Sequence, residues 1–350
     1  MKIAKFFQRV IVLSVLILGV SASAGPQKGA YNLLKKVPLG AAPGGGEYFD
    51  YIAVDSAARR VYVSHGTEFL VLDADSLARV GAIDGLKRCH GVALVPDLGK
   101  GFITDGGAGE VVIFDLATLK VTGKIHTEQD ADSIIYDPAS KRIFSFNGDP
   151  KSATVIDPAS GTVVKTLAMG GGPEFAAADG QGMVYNNIED KNELAALDSR
   201  ALTIKARWPV APAGGPTALA MDVRHRRLFS SGRNPQMLVV MDADSGKVIQ
   251  SFPISAGVDA NVFDPGSALL FVSTREGKVH IFHQDSADTY SVFQTVTTEF
   301  GAKTMALDTE TGHFFVSTAD FAPASAPTAA QPNPRRAPVP GTFRLLVYGR

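Results

Sequence analysis

Seven copies of one phrase run through this chain of 350 residues. Each copy has an apolar run, a turn, a second apolar run and a third run that usually ends in Asp. A repeat of about 40–50 residues with four strand signals is typical of a β-propeller. The sequence therefore predicts an all-β, seven-bladed propeller of four-stranded antiparallel blades. The residues that close the first run lie 40 to 44 positions apart and are Asp55, Val95, Asp137, Asp179, Asp222, Asp264 and Asp308.

Most of these anchors are Asp followed by turn residues such as Pro, Ser and Gly. An Asp side chain accepts hydrogen bonds from backbone N–H groups two residues further on, as a tight turn requires. We therefore interpret the recurring Asp residues as turn formers and not as catalytic groups.

The two ends of the chain predict how the ring closes. The seventh copy ends after its third strand, at 345–348, and so lacks a fourth strand. Residues 33–39 resemble the fourth strand of the third copy, at 163–167, and belong to no blade of their own. We expect 33–39 to complete blade seven, which would remove the exposed edges of an open ring.

The seventh copy also carries an insertion. Its two anchors lie 41 residues apart, against 18 to 20 elsewhere, and the surplus is a Pro- and Ala-rich segment at 320–341. This composition predicts a disordered loop between the second and third strands of the blade. The loop could cover a ligand, dock a partner or be an inert insertion.

The N-terminus predicts a secretory signal peptide at 1–24. Positive residues precede an apolar stretch at 10–20, and small residues at 22–24 suit a cleavage site. The alternative, a membrane anchor, is disfavoured because the stretch is too short to span a bilayer. The mature chain, 25–350, is then one propeller domain in the periplasm or outside the cell, with no membrane span after cleavage.

Global composition adds few constraints. The net charge is −1, so nothing predicts a nucleic-acid or membrane surface. Cys89 is the single cysteine and excludes an internal disulfide. No nucleophile elbow, zinc-protease motif, phosphate loop or dinucleotide fingerprint is present. A monomer is expected.

A candidate site comes from one position in each repeat. Five residues before each anchor, where the blades begin, a polar residue recurs while its identity changes. The first strand of a blade is the innermost, so these side chains should form an asymmetric ring at the mouth of the central channel. They are Asp50, His90, Asp132, Glu174, Thr217, Asp259 and Lys303.

The residues that end the second strands should converge on the same face. Of these, Asn147, Asn187, Arg233 and Arg275 join the ring as candidate ligand-binding residues, and His65, Asp105 and Asp320 occupy the matching positions.

Three interpretations of this ring stay open. The sequence requires no cofactor. In the first interpretation, the hard oxygen donors of the ring would bind Ca²⁺ or Mg²⁺, and His90 would extend the choice to Zn²⁺ or Mn²⁺. An organic or anionic ligand could instead be held by Lys303 and His90. In the third interpretation, the acids pair with the basic residues around ordered water. The metal set would be Asp50, Asp132, Glu174 and Asp259.

Three functions follow in order of preference. The first is a non-enzymatic binding protein or scaffold for a small ligand or a protein partner. The second is a metal-assisted hydrolase of the lactonase type, in which Asp132 or Asp259 would be the general base. The third, binding of single-stranded DNA, is disfavoured because it needs a basic, aromatic groove and the predicted mouth carries four acids.

The chain resembles a known family. Its repeat phrases are similar to YVTN-type propeller repeats, and the whole mature chain resembles the YncE-like family of secreted bacterial propellers. The resemblance implies the propeller fold and a periplasmic or secreted location. It implies little about function: one branch binds single-stranded DNA, and related propellers include lactonases and the heavy subunit of amine dehydrogenases. The matching segments are 60–64, 157–164 and 242–249 for the repeat, and 173–175, 258–264 and 303–308 for the family.

Overall fold

Seven four-stranded antiparallel sheets form the protein, as the repeat predicts. The computed structural model describes residues 29–326, 334 and 336–350. The signal peptide predicted at 1–24 lies outside the described residues. The propeller spans Tyr31–Arg350.

The strands are short and regular. In the first half of the chain they are β1 (Asn32–Gly40), β2 (Ile52–Asp55), β3 (Arg60–His65), β4 (Glu68–Asp73), β5 (Arg79–Ile83), β6 (Cys89–Val95), β7 (Lys100–Asp105), β8 (Glu110–Asp115), β9 (Val121–His126), β10 (Ala131–Asp137), β11 (Arg142–Asn147), β12 (Ser152–Asp157) and β13 (Thr162–Ala168). In the second half they are β14 (Pro173–Ala178), β15 (Met183–Ile188), β16 (Glu193–Asp198), β17 (Thr203–Pro209), β18 (Pro216–Asp222), β19 (Arg227–Arg233), β20 (Gln236–Asp242), β21 (Val248–Pro253), β22 (Val258–Asp264), β23 (Leu269–Thr274), β24 (Lys278–Ser286), β25 (Thr289–Thr297), β26 (Met305–Asp308), β27 (His313–Thr318) and β28 (Phe343–Gly349).

Blades one to six use these strands four at a time, from β2–β5 to β22–β25. The first strands of neighbouring blades contact one another around the whole ring, from β2 to β26 and back to β2. Three short 3-10 turns, at Pro43–Gly45, Pro96–Leu98 and Glu189–Lys191, are the helical elements of the described chain. Each has three residues, so none of them could cross a membrane.

Burial follows the order of strands within a blade. The second and third strands, such as β11 and β12, are buried on both faces because each blade is packed between two others. The fourth strands are exposed or half-buried along most of their length, as β17 is. Each interface between neighbouring blades holds one apolar cluster; that between blades two and three, for example, packs Phe102 and Ile113 against Ile143 and Ile156.

The Asp anchors are turn formers, as predicted. The Asp137 carboxylate accepts hydrogen bonds from the N–H groups of Ala139 and Ser140. Asp115, at the end of a third strand, does the same for Ala117 and Thr118. These bonds replace backbone pairs at the tight turns and set the repeat length of the blade.

Ring closure is confirmed. Blade seven has the strand order β1-β28-β27-β26, and β1 pairs antiparallel with β28 along its length. The insertion lies between β27 and β28, where the sequence predicts it. Its described ends pair with each other through a bridge between Phe321 and Pro338 and through hydrogen bonds that link Val339 to Asp320 and Ala322 to Ala337.

Candidate functional site

A cavity of about 420 Å³ opens where the first strands converge at the centre of the ring. Eight of the eleven predicted ligand-binding residues line it. They are Asp50, His90, Asp132, Glu174, Asp259, Lys303, Arg233 and Arg275.

The other three predicted residues are buried between strands and do not line the cavity. Asn147 donates hydrogen bonds to Ser152 and Thr154 of its own blade. Asn187 donates to the carbonyl of Ala218. The Thr217 hydroxyl donates to the carbonyl of Gly215. In the structure Asn147 and Asn187 tie strands together, and Thr217 bonds within its own segment.

Lys303 neutralises two of the acids. Its ammonium lies 2.9 Å from Asp50 Oδ1 and 2.8 Å from Asp259 Oδ2, so it joins blade seven to blades one and six. Arg233 adds a second cation to Asp259, with 2.6 Å between Nη2 and Oδ1, and also pairs with Glu189. The Lys303 ammonium lowers the pKa of Asp50 against the effect of burial, which alone would raise it.

His90 stands between two carboxylates. Its Nδ1 lies 2.9 Å from Asp50 Oδ2 and 3.0 Å from Asp132 Oδ1. The Tyr48 hydroxyl donates to Asp50 Oδ2 at 2.7 Å. Burial disfavours the imidazolium, but the carboxylates of Asp132 and Asp50 outweigh it and raise the pKa of His90 to about 9. His90 is therefore an imidazolium at neutral pH.

Gly106 makes room for the imidazole ring of His90. A Cβ atom at Gly106 would lie 2.9 Å from His90 Nε2 and 3.0 Å from the carbonyl oxygen of Ala131. Glycine, which has no Cβ, lets the turn after β7 pass close behind the imidazole. In the same blade the Asp105 carboxylate accepts hydrogen bonds from the N–H groups of Lys87 and Arg88, which fixes the loop leading to His90.

The acids of blades three and four are less well satisfied. Asp132 Oδ1 is buried and has no aligned hydrogen-bond donor among the described residues, since the His90 N–H bonds to Asp50. The Glu174 carboxyl has neither a donor nor an ion-pair partner within the described chain. Burial, and then the charge of Asp132, raise the pKa of Glu174 well above its ordinary value. We call Asp130, Asp132 and Glu174 the acidic arc of the cavity.

Neighbouring strands hold the backbone of these residues in place. The Thr104 hydroxyl donates to the carbonyl of Asp132. The carbonyl of Glu174 accepts from Ser133 Oγ at 3.0 Å and from Asn186 Nδ2 at 2.7 Å. Because these donors are buried and belong to the blades themselves, the acidic arc is rigid before any ligand arrives.

An aromatic pair crosses the channel beneath the acids. The rings of Tyr51 in blade one and Phe175 in blade four are stacked, with 4.6 Å between their centroids. Both line the cavity, and Tyr51 follows Asp50 in the chain as Phe175 follows Glu174. The cavity is therefore a cup with an aromatic floor.

The sequence analysis missed this floor and part of the rim, although the repeat holds a signal for both. One residue after the polar ring position, only blades one and four carry aromatics. Two residues before it, blades one to three carry Tyr48, Arg88 and Asp130, which all line the cavity. At that position the other blades carry glycine: Gly172, Gly215, Gly257 and Gly301.

The raised pKa of Glu174 has a consequence for stability. The folded state binds the Glu174 proton more tightly than the unfolded chain, so this group weakens folding as the pH rises above the ordinary range of Glu. Asp132, Glu189 and Asp259 favour the proton and Arg233 opposes it. We expect Glu174→Gln to melt higher than the native protein at about pH 8, by roughly 2 °C for each kcal/mol recovered, and to lose this advantage near about pH 4.

Melting curves across this pH range, with the exposed Glu310→Gln as the matched control, test the expectation. A Glu174→Gln variant that is less stable at every pH would show that the native carboxylate has a stabilising partner.

Comparison with known proteins gives the fold alone. No protein-family model matches the chain, and no curated protein matches it in sequence. Among solved structures, a chain of Kuenenia stuttgartiensis hydrazine synthase is 12% identical, with a TM-score of 0.66, over 83% of this chain and 96% of that one. A chain from a crystal structure of the mitotic checkpoint complex is 12% identical, with a TM-score of 0.73, over 97% of this chain and 99% of that one. These similarities show the fold and no particular role, because propellers serve many unrelated functions.

Proposed function

We propose that the protein is a secreted or periplasmic binding protein that holds a small polar ligand in its central cup, through a positively charged group such as an amine. The observation that carries the proposal is the unsatisfied acidic arc. Asp132 Oδ1 shares the charge of His90 with Asp50 and has no aligned donor, and the nearby Glu174 carboxyl has no hydrogen-bond or ion-pair partner among the described residues. A buried acceptor without a donor is costly, and a ligand N–H would satisfy it.

The ion pairs elsewhere in the cup favour a ligand with a cationic group over one with an anionic group. Lys303 and His90, which the sequence offered as anion ligands, are both engaged by carboxylates. An anion there would have to displace Asp50. A ligand ammonium at the acidic arc would displace only water or the Glu174 proton.

A metal-binding role is the second candidate. The ligand atoms of Asp50, His90 and Asp132 lie within 4.8 Å of one another. Two carboxylates and an imidazole suit Zn²⁺ or Mn²⁺. A metal ion could bind Nδ1 of His90 only after the proton that the carboxylates hold there had left. The positive charge of Lys303, beside Asp50, would also oppose the binding of a metal cation. Glu174 and Asp259 would stand outside this set. The hydrolase alternative depends on this metal.

Titration calorimetry with methylammonium and ethylammonium at neutral pH tests the amine proposal. We expect both ions to bind one site, and Asp132→Asn with Glu174→Gln to weaken binding by about tenfold or more, because two charge-assisted hydrogen bonds are lost. The matched control is Asp97→Asn with Glu310→Gln, which removes two exposed acids from turns at the far end of the first strands.

The outcomes separate the two candidates. Elemental analysis of the purified protein, with and without chelator, runs in parallel. A stoichiometric divalent ion that is lost in Asp132→Asn would favour the metal role and make lactone substrates worth testing. Amine binding unchanged in the Asp132/Glu174 double variant, or no amine binding at all, would overturn the amine proposal.

The family assignment belongs to the same proposal. Similarity to YncE-like propellers, which the repeat phrases suggest, would agree with a secreted binding protein. Cleavage after residue 24, checked by mass spectrometry of the exported protein, would support the location.

A further inference from the structure

A second cleft adjoins the cup beneath the described ends of the insertion. Its volume is about 190 Å³, and it shares Tyr48, Arg88, Arg275 and Lys303 with the cup. Phe49, Phe321 and Arg336 form its outer wall. Where the cup has an acidic arc, this cleft is lined by basic and aromatic side chains. We call it the basic cleft.

Two guanidinium groups in the basic cleft lie on aromatic rings. Arg88 stands 4.5 Å from the centroid of the Tyr48 ring, and Arg336 stands 5.2 Å from that of Phe300. Neither forms an ion pair with a carboxylate of the described chain. An arginine stacked on a ring keeps its N–H edge available, and that edge matches carboxylate and phosphate oxygens.

The one acid of the basic cleft is already engaged. Glu47 Oε2 lies 3.1 Å from Nε2 of the buried His65. Glu47 Oε1 accepts the N–H groups of Ala42 at 3.0 Å and Gly341 at 3.2 Å. Glu47 therefore holds the base of the insertion against blade one and forms no ion pair with Arg88 or Arg336.

The aromatic wall gives the cleft a fixed shape. Phe321 packs edge-on against Phe300, with 5.3 Å between ring centroids, and against Phe49 at 6.3 Å. Phe300 nevertheless remains 46% exposed. An apolar wall beside the arginines excludes water and so strengthens the attraction of an anion.

We propose that the basic cleft binds an anionic group, a carboxylate or a phosphate, of the same ligand whose cationic group occupies the acidic arc. The ligand is then a small zwitterion, an amine that also carries an anion. This inference rests on the proposed amine-binding function and adds the second half of the ligand.

The test compares zwitterions with the matching amines by titration calorimetry on the full protein. β-Alanine, 4-aminobutanoate and 6-aminohexanoate are each paired with the alkylammonium ion that lacks only the carboxylate. O-Phosphoethanolamine distinguishes a phosphate from a carboxylate. We expect at least one zwitterion to bind about tenfold more tightly than its amine. Arg88→Gln with Arg336→Gln should abolish that gain. Arg336→Gln alone, at a residue that does not line the cup, should reduce the gain and leave amine binding unchanged, whereas the exposed Lys87→Gln, one residue from Arg88, should change neither.

Each outcome decides one proposal. If amines bind through Asp132 and Glu174 but no added anion improves binding, or the two Arg substitutions have no effect, the basic cleft is not an anion site while the proposed function stands. If no amine binds, the proposed function fails, and inorganic phosphate titrated alone then tests the cleft by its dependence on Arg88 and Arg336. Tight binding of short oligothymidylate that is lost in the Arg variant would overturn the small-ligand proposal in favour of a nucleic acid.

Discussion

A chain that begins at residue 41 will lose the cooperative unfolding transition shown by a chain that begins at residue 29. The shorter chain lacks β1, so blade seven keeps three strands and β28 becomes an open edge. In the native ring, β1 pairs with β28 from Asn32–Gly349 to Gly40–Phe343. Losing a strand of such paired backbone groups, each hydrogen bond worth net about 1 kcal/mol, takes much of the roughly 5–15 kcal/mol that stabilises a typical domain.

Packing adds to this loss. Val37 and Leu39 of β1 pack against the apolar cluster between blades one and seven, which contains Leu345 and Val347 of β28. Tyr31, just before β1, is buried beside Phe271 and Phe314 of blades six and seven. Denaturant unfolding, followed by circular dichroism, and light scattering measure the effect. We expect soluble aggregates, because an unpaired strand edge recruits other chains.

A peptide of residues 29–42, added in trans, should restore the transition by occupying the open edge. A peptide with the same composition in scrambled order is the matched control. Native-like unfolding of the chain that begins at 41, without peptide, would show that three strands suffice for blade seven.

This closure could be predicted from the sequence because it rests on counting. A seven-copy repeat whose last copy lacks one strand, in a chain with one unassigned strand at its start, has one simple solution. The turn-forming Asp residues mark the blade boundaries in the same way. A pattern of strand and turn residues that repeats seven times predicts the fold much more strongly than any single motif does.

The site was predicted less completely than the fold, because the period of the repeat gives the position of a residue along a strand but not the direction of its side chain. Asn147 ends its second strand as Arg233 does, and Asn187 lies one residue before the end of its own, yet both amides turn toward neighbouring strands. The proposal that they bind a ligand stays a prediction from sequence. Arg233 is long enough to reach Asp259 and the cup.

Side-chain contacts between blades that are distant in the sequence cannot be predicted from the repeat pattern. Asp50 and Lys303 are 253 residues apart, and Tyr51 meets Phe175 from the opposite side of the channel. The Asp50–Lys303 pair depends on ring closure, which makes blade seven the neighbour of blade one. The Tyr51–Phe175 pair depends on ring size, which decides which blades face each other across the channel. Sequence analysis left open whether the acids bind metal or pair with bases; the structure pairs Asp50 and Asp259 with Lys303.

Lys303→Met will destabilise the propeller by about 3 kcal/mol at neutral pH. The Lys303 side chain is 13% exposed, and those of Asp50 and Asp259 are 9% and 8% exposed. Removing one partner of a buried ion pair costs about 3–5 kcal/mol because a buried charge is left uncompensated. We expect the lower end, since Asp50 keeps His90 and Asp259 keeps Arg233. Urea unfolding measures the loss.

The pH dependence identifies the cause. In the native protein the lowered pKa of Asp50 contributes stability that is present above the ordinary pKa of Asp, about 4, and is lost as the pH falls. In the variant the carboxylates can relieve their repulsion by taking up protons. The difference between the two proteins should therefore be largest at neutral pH and should shrink below about pH 4.

A double-mutant cycle with Asp50→Asn separates charge from packing. If the ammonium acts through Asp50, Asp50→Asn will cost less in the Lys303→Met background than in the native one, with a coupling of about 1–3 kcal/mol. Lys165→Met, which removes an exposed ammonium near the carbonyl of Leu202, is the control and should change stability by less than about 0.5 kcal/mol. A loss that is independent of pH and additive with Asp50→Asn would mean that Lys303 stabilises the ring by packing its methylene groups, and the cup would then owe none of its rigidity to this ion pair.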